Sequence, residues 1–391
     1  MNGEFKWKLI NDSINFDDKK NIVDFVMTEN VRFTQGDKVA EFENEWSNWL
    51  GIKNSVFVNS GASANYIMAS IMKERRGLGE VIVAPIGWVS DVSPLINLGF
   101  TPVFVDVSLD TMSITYDTIK NAITEKTVGL ILVHCLGFNA MDQRILDLVK
   151  KYDLFFIEDG CEAHGATYGG KKIGTFGDIS NFSFYFGHHI TTIEGGMVCT
   201  NNEELYQYSK LFRSHGLTRE ASISIQDKYK NEYPELNPLF TFAVPGYNVR
   251  NQEFNAVLGL SQLKRLDYNI KQRNKNLIIW LNILDERKFY TNFVVNGNSN
   301  FALPLILREE DDDLLNRVCA VLDDNGVEYR RGTAGGGNQS LQPYLKNYKF
   351  KSDLLHNANH IHYFGLYVGN HPELLEKQII DLCMKLNKVR I

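Results

Sequence analysis

The stretch "DLFFIEDGCEAHGA" (153–166) is where the fold can be read. Four apolar residues, Leu154 to Ile157, run straight into Glu158 and Asp159, and Gly160 follows at once. A short continuous apolar run marks a strand buried on both faces, as found in mostly parallel sheets covered by helices. In open sheets of that kind, ligands bind beyond the carboxyl ends of the strands. Working outward, similar runs occur in EVIVAP (80–85), TPVFVDV (101–107), VGLILVHC (128–135), DISNFSFYF (178–186) and GGMVCT (195–200). Amphipathic stretches such as SANYIMASIMKER (63–75) and AMDQRILDLVKKY (140–152) separate them. The alternation predicts an α/β protein whose mostly parallel sheet is flanked by helices.

The second half reads differently. A helical pattern spans 251–285, followed by the strand candidate FALPLILRE (301–309). DDLLNRVCAVLDDNG (312–326) is a helix closing on a glycine cap, GVEYRRG (326–332) is a strand, and a last helix starts near 372. We expect a large domain over 1–250, then a connecting helix and a small α+β domain over 251–391.

The bulk composition narrows the function. Of 391 residues, 44% are hydrophobic, enough for a sizeable core, and the net charge of −6 lacks the basic footprint of a nucleic-acid binder. The charged start, MNGEFKWKLINDS, is no secretory signal, and no apolar run approaches the roughly 20 residues that span a bilayer. Five scattered cysteines without a CxxC or CxC pair read as reduced cytoplasmic thiols. They offer no disulfide framework and no zinc or iron–sulfur site.

Candidate site residues fall at the turns. "VNSGASAN" (58–65) ends a strand and opens a helix, so free N–H groups at the helix start, reached closely because of Gly61, form an anion site. The plain alternative is an ordinary tight turn. Asp159 follows a buried strand and suits a ligand's ring nitrogen, although helix capping is a common use of Asp, and Glu158 and Glu162 compete with it. Ser183 offers a hydroxyl. "PGYNVRNQEFNAVLG" (245–259) sets Asn248 and Arg250 on a loop before a helix.

These pieces resemble a known family. SGASAN, PIGWVS, EDGCEAHGA, the SFYF…TTIEGG run, RSHGLTR and PGYNVR occur in the order and spacing of the DegT-type sugar aminotransferase/dehydratases. The resemblance covers nearly the whole chain. It implies PLP-dependent transferase fold type I, pyridoxal 5'-phosphate (PLP) and pyridoxamine 5'-phosphate (PMP) as cofactor, nucleotide-linked 4-keto sugars as substrates, and a homodimer sharing its active sites. Lysine members place their Schiff-base lysine six residues before the Glu of TTIEGG; here that position is His188, with His189 after it. This matches the histidine branch, the 3-dehydratases of 3,6-dideoxysugar biosynthesis in polysaccharides. GLYVGNH (365–371) is also similar to that branch, and the lack of a close C-x-C pair excludes its iron–sulfur form.

The resemblance further implies residue roles. Gly61, Ala62 and Ser183 would hold the phosphate, and Asn248 would reach the partner subunit's phosphate. Asp159 would meet the ring nitrogen, Glu162 the ring hydroxyl, and Trp88 would stack on the ring. Histidine cannot form the imine that lysine forms, but its unperturbed pKa of about 6.5 suits proton transfer. His188 is therefore the expected catalytic base, with L-glutamate as amino donor to PLP. His189 should point the other way in an extended segment and serve structure. His215, Arg219, Arg250, Arg330 and Arg331 are candidates for substrate binding, since guanidinium forks suit carboxylate and diphosphate; each also reads as a solvated charge. The glycine-rich stretch 332–340 departs from the family branch, so a GDP-linked hexose and a heptose both stay open. Two competing readings are an inactive relative acting as a binding protein, and an aminotransferase using Lys171 or Lys172 in "GGKKIG" (169–174).

Overall fold

A computed structural model describes residues 5–332, 335–352 and 354–390. Helices α1 (Phe16–Met27) and α2 (Asp37–Leu50) precede the first strand. Asn15 and Asp18 cap α1 reciprocally: the Asn15 side chain accepts from the Asp18 N–H at 2.9 Å and Asp18 returns the bond at 3.0 Å. Strands and helices then alternate as β1 (Asn54–Val58), α3 (Gly61–Arg76), β2 (Glu80–Val83), α4 (Val89–Leu98), β3 (Thr101–Phe104), α5 (Tyr116–Ala122), β4 (Thr127–Val133), α6 (Gln143–Tyr152) and β5 (Phe155–Asp159). A small hairpin, β6 (Thr167–Tyr168) and β7 (Lys171–Lys172), leads to β8 (Ile179–Ser183) and β9 (Gly196–Thr200). Helices α7 (Glu203–Arg213), α8 (Ile223–Glu232), α9 (Glu253–Leu263) and α10 (Leu266–Ile283) follow. The chain ends with β10 (Ala302–Ile306), α11 (Asp312–Asp324), β11 (Tyr329–Arg331), β12 (Lys351–Ser352), α12 (His356–Phe364), β13 (Gly365–Gly369) and α13 (Glu376–Asn387).

The main sheet has the order β1-β9-β8-β5-β4-β2-β3-β12. Its pairs are parallel from β8 to β12, and β9 runs antiparallel to both its neighbours. Every residue of β2, β5, β8 and β9 is buried; this is why β2 and β5 read as apolar runs with polar ends, whereas β8 carries Ser180 and Asn181 in its interior. One large core fills the space around most of the sheet; a second, rich in aromatics, packs Phe42 and Trp46 of α2 against Phe57, Phe182 and Phe184. The C-terminal strands form a separate antiparallel sheet, β10-β13-β11, while β12 returns to pair with β3. Trp7 also ties the two ends of the chain together, donating from Nε1 to the Gly369 carbonyl at 2.9 Å.

Three expected spans change. The strand expected over 178–186 stops at Ser183, opposite Gly196, and the chain then leaves the sheet. The helical pattern over 251–285 breaks into α9 and α10 at Lys264 and Arg265. There Arg265 reaches the buried Asp18 of α1 at 2.9 Å, a tertiary pairing that periodicity cannot show. The last helix starts at Glu376 rather than near 372.

Candidate active site

Strands β4, β5 and β8 end together, and a cavity of about 380 Å³ opens beyond them. The start of α3 and Trp88 ahead of α4 form its sides. Leu9, Ile10, Phe301, Arg330 and Tyr367 approach from the chain's N-terminal segment and the small sheet. A wider groove of about 620 Å³ lies at the opposite strand ends, beside Glu80, Lys126 and Lys351, and holds none of the expected site residues.

The anion cradle is built from α3 upward. Ser60 caps the helix by accepting from the Ser63 N–H at 3.0 Å. This leaves the N–H groups of Gly61 and Ala62, in the first turn, without partners inside the helix. Both residues line the cavity beside Ser183 at the end of β8. A Cβ on Gly61 would lie 2.7 Å from the Ser183 Cβ, so only glycine lets the helix start come this close to the strand. Backbone donors, a helix dipole and a hydroxyl fit a phosphate monoester.

Below the cradle, Asp159 accepts from the Cys161 N–H at 2.9 Å through Oδ1 and from Asn65 at 3.3 Å through Oδ2. Glu162 accepts the Leu136 N–H at 2.8 Å, and burial pushes its carboxyl up to about 7. Trp88 lies 53% exposed at the mouth, where a flat ligand can meet its indole. Gly335 sits directly on that indole: a Cβ there would come within 1.9 Å of Cε3, and the backbone adopts φ 76°. Thr333 and Ala334 of the glycine-rich stretch lie outside the described residues. Toward its far end Asn338 is buried: its N–H donates to His362 at 3.2 Å and its amide to Asn359 at 2.8 Å.

His188 lies in the turn that follows β8, not in an extended segment, and lines the cavity. Its Nδ1 is 3.1 Å from the Ser183 carbonyl. A carbonyl only accepts, so Nδ1 carries the proton and Nε2 the lone pair. Burial lowers its pKa to about 4, against the opposing pull of that carbonyl and Asp159. The imidazole is thus neutral well below pH 7, lower than its unperturbed value suggests. His189 is buried, with Nε2 3.1 Å from the Ser299 carbonyl and its ring 5.1 Å from that of His164. Both rings lie against His164 and Phe301, but only His188 lines the cavity.

Of the expected site residues, Gly61, Ala62, Trp88, Asp159, Glu162, Ser183, His188 and Arg330 line the cavity. The others do not. Asn248 pairs with Ser214 in an antiparallel bridge and is exposed, as is His215, whose backbone adopts φ 61°. Arg219 donates to the Leu239 carbonyl at 3.2 Å and packs over Phe240. Arg250 bridges Val58, and Arg331 donates to the Tyr363 carbonyl at 3.2 Å. Lys171 and Lys172 sit on the β6–β7 hairpin, with Lys172 over the Trp49 ring at 4.6 Å. Sequence reasoning missed Leu9, Ile10, Asp91 and Tyr367, all on the cavity wall. The Asp three residues after Trp88 reads as a helix-capping acid, so no signal separates it from that role.

A mostly parallel sheet with an anion cradle at a helix start, a buried carboxylate below it and an aromatic platform beside it defines a PLP-dependent enzyme of fold type I. The chain belongs to the DegT/DnrJ/EryC1/StrS aminotransferase family, which matches residues 16–387. It is 33% identical over 386 residues to the GDP-4-keto-6-deoxy-D-mannose 3-dehydratase of Yersinia pseudotuberculosis, covering 96% of this chain and 97% of that one. The solved E. coli GDP-4-keto-6-deoxy-D-mannose-3-dehydratase with bound hydrated PLP superposes with a TM-score of 0.89 at 28% identity, covering 98% of this chain and all of the other. A structure of GDP-4-keto-6-deoxymannose-3-dehydratase with a trapped PLP-glutamate geminal diamine superposes at 0.87, also at 28% identity, over 97% of this chain and all of that one.

Proposed function

We propose that this chain is a PLP- and glutamate-dependent 3-dehydratase of a nucleotide-linked 4-keto-6-deoxy sugar, with GDP the favoured nucleotide. The observation that carries this reading is the cavity wall itself. His188 stands there with Nδ1 held by the Ser183 carbonyl, and among the described residues no lysine lines the cavity. That also removes the support for an aminotransferase using Lys171 or Lys172. The intact cradle and carboxylates speak against an inactive relative.

Without an imine, the cofactor is held by non-covalent contacts. Gly61, Ala62 and Ser183 would take its phosphate, Asp159 its ring nitrogen, Glu162 its ring hydroxyl and Trp88 its face. When bound, it carries the amino group from glutamate to the sugar and serves as electron sink. His188 does the proton work through Nε2. It would accept a proton from the cofactor's own aminomethyl carbon, the electrons passing to the C3–O bond, and could return that proton to the C3 oxygen as the oxygen leaves. Arg330, at the cavity wall, suits the glutamate carboxylate or the substrate diphosphate. The names of the relatives above support GDP and glutamate.

A homodimer completes the site in this reading. α8 buries none of its side chains, and Leu239, Phe240 and Phe242 beyond it are exposed, an apolar surface that a second copy would cover. His215, Arg219 and Asn248 lie along the same 214–250 arm, so the arm would deliver them to the partner's cavity. Among the described residues no helix is long and apolar enough to cross a membrane, and the five cysteines are free thiols, which supports a reducing cytoplasm.

The test is incubation with GDP-4-keto-6-deoxymannose, PLP and L-glutamate. We expect a sugar lighter by one oxygen, with one 2-oxoglutarate and one ammonia per turnover. A product that retains the glutamate nitrogen would make the enzyme an aminotransferase; bound PLP with no sugar product from any nucleotide would favour a binding protein.

A further inference from the structure

The mechanism leaves one buried acid without a task. Asp91, in the first turn of α4, is 5% exposed and faces the cavity beside Asp159, which is equally buried. The two carboxyls share a donor: Asn65 Nδ2 lies 3.3 Å from Asp91 Oδ1 and 3.3 Å from Asp159 Oδ2. The orientation of that amide is fixed, because Asn181 donates to the Asn65 oxygen at 2.7 Å. The other oxygen of Asp91 accepts the Trp88 N–H at 3.0 Å. Asp91 therefore connects the residue that meets the cofactor's face to the residue that meets its ring nitrogen. Among the described residues neither carboxyl has a lysine or arginine ion pair.

We propose that Asp91 is a positioning residue that, as a neutral carboxylic acid, donates a hydrogen bond to Asp159 and links Trp88 to it, fixing the ring-nitrogen contact of PLP. Two buried carboxyls that share one amide donor and have no cationic partner disfavour double ionisation, so one holds the proton. Burial and then the charge of Asp159 hold the Asp91 carboxyl well above the usual range, which makes Asp91 the acid. A hydrogen bond donated to Asp159 stabilises its carboxylate form. It therefore keeps the shared proton on the pyridine nitrogen rather than on Asp159. The ring remains a strong electron sink although it has no covalent tether to hold it in place.

The proposal rests on the cofactor assignment alone, so wild-type binding of PLP is the control and sugar chemistry is not needed to judge it. Asp91→Asn replaces the acid by its isostere. Trp88 N–H holds the amide oxygen and the amide N–H₂ faces Asp159. Asp91→Ala removes both bonds. The PLP dissociation constant is measured by equilibrium dialysis, and ring protonation by the NMR signal of PLP labelled with ¹⁵N in the ring. We expect Asp91→Asn to stay within about threefold of wild type with an unmoved ring signal. Asp91→Ala should bind at least about tenfold more weakly, with the signal moved toward the unprotonated nitrogen. An Asn variant weakened tenfold overturns the proposal, whether or not the Ala variant folds. So does an Ala variant that keeps wild-type affinity or leaves the ring signal in place. A wild-type protein that does not bind PLP would instead overturn the cofactor assignment.

Discussion

The floor of the cavity and the arm from Ser214 to Arg250 are built in opposite ways. At the floor, Asn65, Asp91, Asp159 and Asn181 are all buried and are bonded to one another or to the backbone. Along the arm, α8 buries no side chain, Phe240 is 59% exposed, and His215 and Asn248 face outward. Buried polar groups need partners, and nearly all of those on the floor find them within one copy. Exposed aromatics and polar groups along a thin segment are finished only by another surface. In the proposed dimer, the arm would add a partner's side chains to a cavity whose floor belongs to one subunit.

The sharpest test of the floor is His188→Asn. Dehydration should fall by about 10³-fold while PLP still binds, because a base is lost and no cradle contact is. Rates compared at saturating PLP would place the base elsewhere if the variant stayed active. Next comes the arm. His188→Asn and Asn248→Asp chains, each inactive alone, are mixed under conditions that exchange subunits. A shared site predicts recovery to about one quarter of wild-type activity, since half of the dimers then carry one intact site. No recovery despite proven exchange would make each site the property of one chain.

A smaller effect is expected at the cradle. In Gly61→Val the new Cβ meets the Ser183 Cβ at 2.7 Å, so PLP should bind about tenfold more weakly, read by fluorescence titration. The smallest effect concerns pH. In the proposed mechanism His188 works in its neutral form, and its pKa is lowered, so that form is lost only as pH falls through about 4. The acid limb of kcat/KM should therefore lie near pH 4 rather than 6.5. A limb at 6.5 that disappears in a His188 variant would show that the histidine is more hydrated than the cavity suggests.

The strand cores were legible in the sequence because burial on both faces forces continuous apolar runs. The anion turn was legible because Gly61 sits where strand gives way to helix, and His188 because its spacing to Glu194 marks the position of a missing lysine. The site's remaining walls left no comparable signal. Leu9 and Ile10 belong to an N-terminal segment that reaches the cavity from more than fifty residues before the cradle. Asp91 reads as an ordinary capping acid until α4 is seen to start beside the end of β5. β12, with two exposed residues, has no period to detect, yet it extends the main sheet.

By itself the sequence determined the α/β architecture, the cofactor cradle and the change from lysine to histidine, because each depends on residue type at short range. The tertiary structure decided what the histidine is and what surrounds it. The Ser183 carbonyl sets its tautomer, burial sets its charge, and packing of four separate elements brings a second carboxyl under the first. Those properties come from desolvation and long-range contact, which no local pattern of residues records.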